Sequence, residues 1–129
     1  MNHNICVKYK HVRIRPLREE DLENLRKWRN DKKIGEFLRK IDEITPEMQE
    51  NWYLNDCKDE TVATFAIEEV ESLNRVVGSV SIYDINGDTA EIGKIVVGDE
   101  EAKGKKIGYY ALLLAMYAGY EKLGINQYL

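Results

Sequence analysis

A chain of 129 residues has room for one hydrophobic core and not two, and 43% hydrophobic with 33% charged residues is the make-up of an ordinary globular domain, neither disordered nor membrane-spanning. A net charge of -4 gives no general attraction to nucleic acid. Two cysteines, Cys6 and Cys57, are too few for a disulfide framework, and no Cys/His spacing resembles a metal site.

The opening MNHNICVKYK lacks the apolar centre of a signal peptide, so a reducing cytoplasm is the expected location. His11 to Leu17 alternates apolar and polar residues and predicts a first strand. Leu22, Leu25 and Trp28 recur at helical spacing, predicting a helix from about Glu19 to Asn30. Gly35 interrupts before a short stripe of Phe37, Leu38 and Ile41. Thr45 before Pro46 marks a helix start, with a helix to about Cys57 carrying Met48, Trp52 and Tyr53. Val62 to Val70, Val76 to Tyr83 and Thr89 to Val97 are β-rich, and Asn86-Gly87 signals a tight hairpin between the last two. A helix from Ile107 to Lys122 ends at Gly124, which suits a left-handed cap. Ile125 to Leu129 then begins a strand parallel to Thr89 to Val97. Repeats and low-complexity tracts are absent from the sequence.

The segment before the long helix carries the chemistry. Lys103, Lys105 and Lys106 surround Gly104 and Gly108 where a helix opens, and its free N–H groups and positive dipole end suit a phosphate or pyrophosphate. The bland reading is a solvated cationic helix start. A Walker loop does not fit, because Gly98 to Gly104 has one residue too many and Lys105 is followed by lysine. The glycines are also wrongly spaced for a dinucleotide fold.

Lys103-Gly104-Lys105-Lys106-Ile107-Gly108 resembles the [QR]-x-x-G-x-[GA] turn of the GCN5-related N-acetyltransferases (GNAT). VRIRPLREEDLENLRKWRN and VVGSVSIYDINGDTAEIGKIVVG resemble the opening strand and helix and the central strands of that family's ribosomal-protein and amino-sugar branch. The likeness runs from about Val12 to Leu129. It implies one acetyltransferase domain over residues 1–129, an α/β fold with a mixed, mostly antiparallel sheet flanked by helices. Two departures stand out. Lys103 replaces Gln or Arg, and Lys106 replaces the first motif glycine. The family also continues with another helix and two strands, often bearing a tyrosine general acid, so the domain is expected to lack its last elements. An unpaired edge strand would then favour a homodimer or strand-exchanged oligomer.

The resemblance also implies acetyl-CoA as donor, no metal, and an amine acceptor: an amino-sugar nucleotide, a protein N-terminus or a small amine. Ile95, Val96 and Val97 would offer backbone groups to the pantetheine, and Lys103, Gly104, Lys105, Lys106, Ile107, Gly108 and Tyr109 would hold the pyrophosphate. Glu91 would be the general base, with Asp84 in reserve. Trp28, Arg29 and Asn30 would face the acceptor, although Trp28 also continues the Leu22/Leu25 core stripe and Arg29 and Asn30 could simply end a helix. A non-catalytic CoA-binding relative of the same fold is the other reading, favoured by Lys106. Neither nucleic acid nor membrane is expected as a partner.

Overall fold

The computed structural model describes residues 1–31 and 43–129. Strand β1 (Val7–Tyr9) and strand β2 (Val12–Pro16) form a hairpin turned at Lys10, which adopts φ 53. The pattern places the first strand only from His11. Strand β1 is an addition, turned by a lysine and a histidine where no glycine or asparagine signals a turn. One 3-10 turn (Glu19–Asp21) leads into α1 (Leu22–Asn30). Arg15 ties that turn to β2 with two hydrogen bonds to Asp21, at 2.9 and 3.0 Å, and the Arg18 backbone N–H donates to the same carboxylate. The Phe37, Leu38 and Ile41 stripe lies outside the described residues.

Helix α2 (Pro46–Lys58) starts as its sequence predicts, with Pro46 in the first turn and the Thr45 hydroxyl accepting from the Met48 N–H. Its inward face is Gln49, Trp52 and Tyr53, while Met48 points to solvent. Strands β3 (Ala63–Glu69), β4 (Arg75–Asn86) and β5 (Thr89–Val97) follow, then α3 (Ile107–Leu123) and β6 (Gln127–Tyr128). They complete a six-stranded sheet in the order β1-β2-β3-β4-β5-β6, antiparallel except for the parallel β5–β6 pair. The β4–β5 hairpin is shifted by one residue from the Asn86-Gly87 centre. Asn86 pairs with Thr89, and Gly87, at φ 63, takes the first loop position, where a type II′ turn favours glycine. Gly124 caps α3 at φ 71, as expected.

Alternating residues of the central strands feed two cores. Ile14, Phe65, Ile67, Val80 and Ile82 pack beneath Ile107, Ala111, Leu114, Ala115 and Ala118 of α3. On the other face Leu17, Ala66 and Val96 pack with Leu22, Leu25 and Trp28 of α1 and with Trp52 and Tyr53 of α2. Alanines on the inner side of α3 let it sit close to the sheet. Tyr109, Leu113, Met116, Tyr117 and Tyr120 stay exposed on its outer side.

The turn between β3 and β4 is organised by a buried carboxylate. Glu69 accepts from the backbone N–H groups of Glu71, Ser72 and Leu73 and from the Ser72 hydroxyl. Burial alone would raise its pKa, but these donors outweigh burial and hold it at about 2. With the folded pKa below the unfolded one, the stabilisation is complete above the ordinary glutamate range and is lost as pH falls toward 2. Glu69→Gln is expected to lower unfolding free energy by about 1–2 kcal/mol at pH 7. The gap from wild type should close as denaturant melts are repeated at falling pH, and a gap independent of pH would contradict this origin.

Candidate active site

Strand β5 is irregular where the site forms. Ser79 pairs with Val96 and Ser81 with Gly93, so Val80 alone on β4 faces Lys94 and Ile95 on β5, and Lys94 adopts φ 52. This is a β-bulge, which bends the strand and re-aims its backbone. On its other side β5 pairs with β6 only at Thr89–Gln127 and Ala90–Tyr128, after which the Leu129 N–H reaches the Ala90 carbonyl. From Glu91 to Val97 that edge has no ladder partner among the described residues. The Val96 carbonyl lies against Gly78, so closely that a Cβ there would approach it to 1.9 Å, and the Gly98 N–H donates to Val77. Val96 and Gly98 therefore face β4, and alternation turns the backbone groups of Ile95 and Val97 to the open edge. The Val96 side chain is buried in the second core.

The start of α3 adjoins this edge. Asp99 caps a 3-10 turn (Glu100–Ala102) through the Glu101 N–H and is held by Arg75 at 2.6 and 3.1 Å. Lys103, Gly104 at φ 80, Lys105 and Lys106 at φ 57 carry the chain into the helix, where Ile107 is buried as an anchor. Tyr110 N–H is the donor to the Lys106 carbonyl, so the N–H groups of Ile107, Gly108 and Tyr109 precede the helical ladder. A Cβ at Gly108 would lie 3.9 Å from the Ile95 side chain, which brings the open edge and the helix start together. Lys103 and Lys106 are exposed and Lys105 is half-buried.

Glu91 pairs with Tyr83, and Gly93 with Ser81, so all four lie on the sheet face covered by α1 and α2. Asp84, at φ 51 in a second irregularity of β4, neighbours Glu91, and hydrogen bonding with this second carboxylate raises the Glu91 pKa. The two base candidates are thus one carboxyl pair. Lys94 sits 4.3 Å from the Tyr83 ring centre.

A cavity of about 420 Å³ opens on the same face, lined by Arg29, Trp52, Asp56, Asp59, Ser81 and Lys94 among others. The Arg29 guanidinium lies 4.7 Å from the Trp52 ring centre and makes no hydrogen bond among the described residues, and burial lowers its pKa. Asp56 is raised by burial and accepts from the Thr64 hydroxyl. Of the expected acceptor trio, only Arg29 lines this cavity. Trp28 covers Gly98, where a Cβ would meet its ring at 2.0 Å, and it belongs to the second core. The Asn30 amide bridges both backbone groups of Ile44. In both, packing or bridging engages the side chain that the resemblance placed at the acceptor. Tyr53 likewise packs in the core and donates to the Leu17 carbonyl.

Residues 11–129 match the sequence profile of the acetyltransferase (GNAT) domain family. The chain belongs to the GNAT acetyltransferase family. Its fold is shared with a domain from Methanocaldococcus jannaschii, at 29% identity and TM-score 0.72 over 84% of this chain and 70% of that one. It is also shared with spermidine N-acetyltransferase from Vibrio cholerae in complex with CoA and spermine, at 20% identity and TM-score 0.77 over 89% of this chain and 67% of that one. Apo FdhC, a nucleotide-linked sugar GNAT, aligns at 22% identity and TM-score 0.76 over 95% of this chain and 70% of that one. No curated protein sequence matches significantly.

Within the GNAT fold, Trp52, Asp56, Asp59 and Lys94 come together from helix, loop and bulge. Only the Trp52-Tyr53 pair carries a signal in the sequence, because a bulge that turns Lys94 onto this face leaves no compositional trace. Lys106 occupies a left-handed conformation that glycine adopts without strain, which explains physically why a glycine suits that motif position. Lys106→Gly is expected to raise stability by about 0.5–1 kcal/mol, read as a higher Tm. A lower Tm would show that the lysine side chain makes a stabilising contact outweighing the backbone strain.

Proposed function

We propose that this GNAT domain transfers an acetyl group from acetyl-CoA to a primary amine by direct attack within a ternary complex. The observation that carries the proposal is the meeting of the open β5 edge with the unbonded helix start at Ile95 and Gly108. Pantetheine, itself a string of amides, matches the exposed backbone of Ile95 and Val97. The pyrophosphate matches the N–H groups of Ile107, Gly108 and Tyr109 together with Lys103, Lys105 and Lys106.

Chemically, the acceptor ammonium must first lose a proton. Glu91 takes it, directly or through water, and the amine lone pair attacks the thioester carbonyl carbon. A backbone N–H at the open edge holds the oxyanion, the C–S bond breaks as the carbonyl re-forms, and the departing CoA thiolate takes up the proton that the attacking nitrogen gives up. Holding both substrates in one cleft makes the attack effectively intramolecular. Glu91→Gln should lower kcat about 100-fold with the acetyl-CoA KM little changed. Asp84→Asn removes the carboxylate that raises Glu91, so the acid limb of the pH–rate profile should move to lower pH. An unmoved limb would remove Glu91 from the role of base.

We infer further that the acceptor carries an anionic group besides its amine. Arg29 and Lys94 offer cationic donors in the cavity, and Asp56 and Asp59 face them with acceptors for an ammonium. A nucleotide-linked amino sugar meets that description, while a polyamine brings no anionic group to Arg29 and Lys94. Arg29→Ala should raise KM at least tenfold for a phosphorylated or carboxylated amine and leave a simple diamine unaffected. Equal losses for both would count against this substrate class. The second reading, a CoA-binding protein without turnover, is favoured by the strained Lys106 and predicts donor binding with no product from any amine.

A further inference from the structure

The β1–β2 hairpin reaches the phosphate loop through one side chain. His11 Nε2 lies 2.6 Å from the Lys105 carbonyl oxygen, and since a carbonyl only accepts, Nε2 is the protonated donor. The histidine is itself held on three sides. Its own carbonyl accepts from the Val70 N–H at 2.9 Å, its ring meets Tyr110 edge-on with centres 5.3 Å apart, and Tyr9 packs on the same tyrosine at 5.9 Å. Lys10 adds its ammonium above both tyrosine rings. The hairpin tip is thus fixed to the first turn of α3 before it touches the loop.

The consequence follows from peptide geometry. The Lys105–Lys106 peptide is planar and trans, so its carbonyl and the Lys106 N–H point in opposite directions. A bond that fixes the carbonyl toward His11 fixes that N–H away from the hairpin. Lys106 sits in the left-handed region, where a lysine is poorly placed to hold its own backbone, and its carbonyl is already engaged by the Tyr110 N–H. His11 thus restrains this peptide from outside the loop.

We propose that His11 is a positioning residue for donor binding, holding the Lys105–Lys106 peptide so that the amides opening α3 are preset for a pyrophosphate. This rests on the acetyl-CoA reading of the same loop. Preset donors lose less conformational freedom on binding than a mobile loop does, so the effect should fall on the part of the donor that carries phosphate.

The test compares two donors and two variants. His11→Phe keeps an aromatic ring against Tyr110 and removes the donor, and His11→Gln restores an N–H of similar reach. Calorimetric titration should show His11→Phe binding CoA about tenfold more weakly than wild type, with His11→Gln close to wild type. Affinity for pantetheine, which lacks the pyrophosphate, should be the same in all three. Equal CoA affinity in wild type and His11→Phe would overturn the proposal, as would parallel losses for CoA and pantetheine. A wild-type protein that takes up no CoA would overturn the acetyl-CoA reading and this proposal together.

Discussion

Peptide N–H groups in a folded chain need acceptors, and among the described residues this fold leaves two sets without one at the same place. The β5 edge loses its ladder after Ala90, and the start of α3 adjoins it at Gly108. Neither is unusual alone, since edge strands and helix starts occur in every α/β protein. Their contact, with cationic side chains around it, creates a surface that a ligand rich in amides and phosphate can satisfy. The chemistry proposed for the chain depends on that arrangement, because it fixes where the thioester must lie relative to Glu91.

Much of the remaining structure serves to hold the two sets in register. The bulge at Lys94 turns β5 so that Ile95 and Val97 face outward and Val96 stays in the core. Trp28 fills the space over Gly98, where the chain leaves β5. Arg75 with Asp99 fixes the turn after β5, at an exposed position where salt screens the pair and its worth is modest. Arg15 with Asp21 anchors the start of α1 to β2, where both partners are buried and Glu68 also lies 3.4 Å from the guanidinium. From the far edge of the sheet, His11 reaches the Lys105 carbonyl in the turn before α3.

The general architecture was readable because it rests on periodicity and turn chemistry. The alternation in β3 to β5, the Thr45-Pro46 helix start and the Gly124 cap each carry a local signal that the tertiary structure does not override. The turn before α3 was readable because Gly104 and its neighbouring lysines stand directly before a long apolar helix. Strand β1 was not, since Lys10 turns the hairpin in a conformation that sequence statistics reserve for glycine and asparagine. Within the site, Glu91 and Asp84 could be named separately, but their pairing depends on an irregularity at Asp84 that sequence does not announce. Trp28 continues the core stripe of α1 as its spacing allows, and the structure adds that it packs on Gly98 and that Asn30 bridges to Ile44. Arg29, between them, differs because it faces the cavity and the other two do not.

The central claim is that one ligand engages both sets of free amides, and backbone amide NMR on titration with acetyl-CoA tests it most directly. The account predicts that the resonances of Ile95 and Val97 shift together with those of Ile107, Gly108 and Tyr109, along one saturation curve. Shifts confined to the loop, or different saturation curves for strand and helix start, would contradict it.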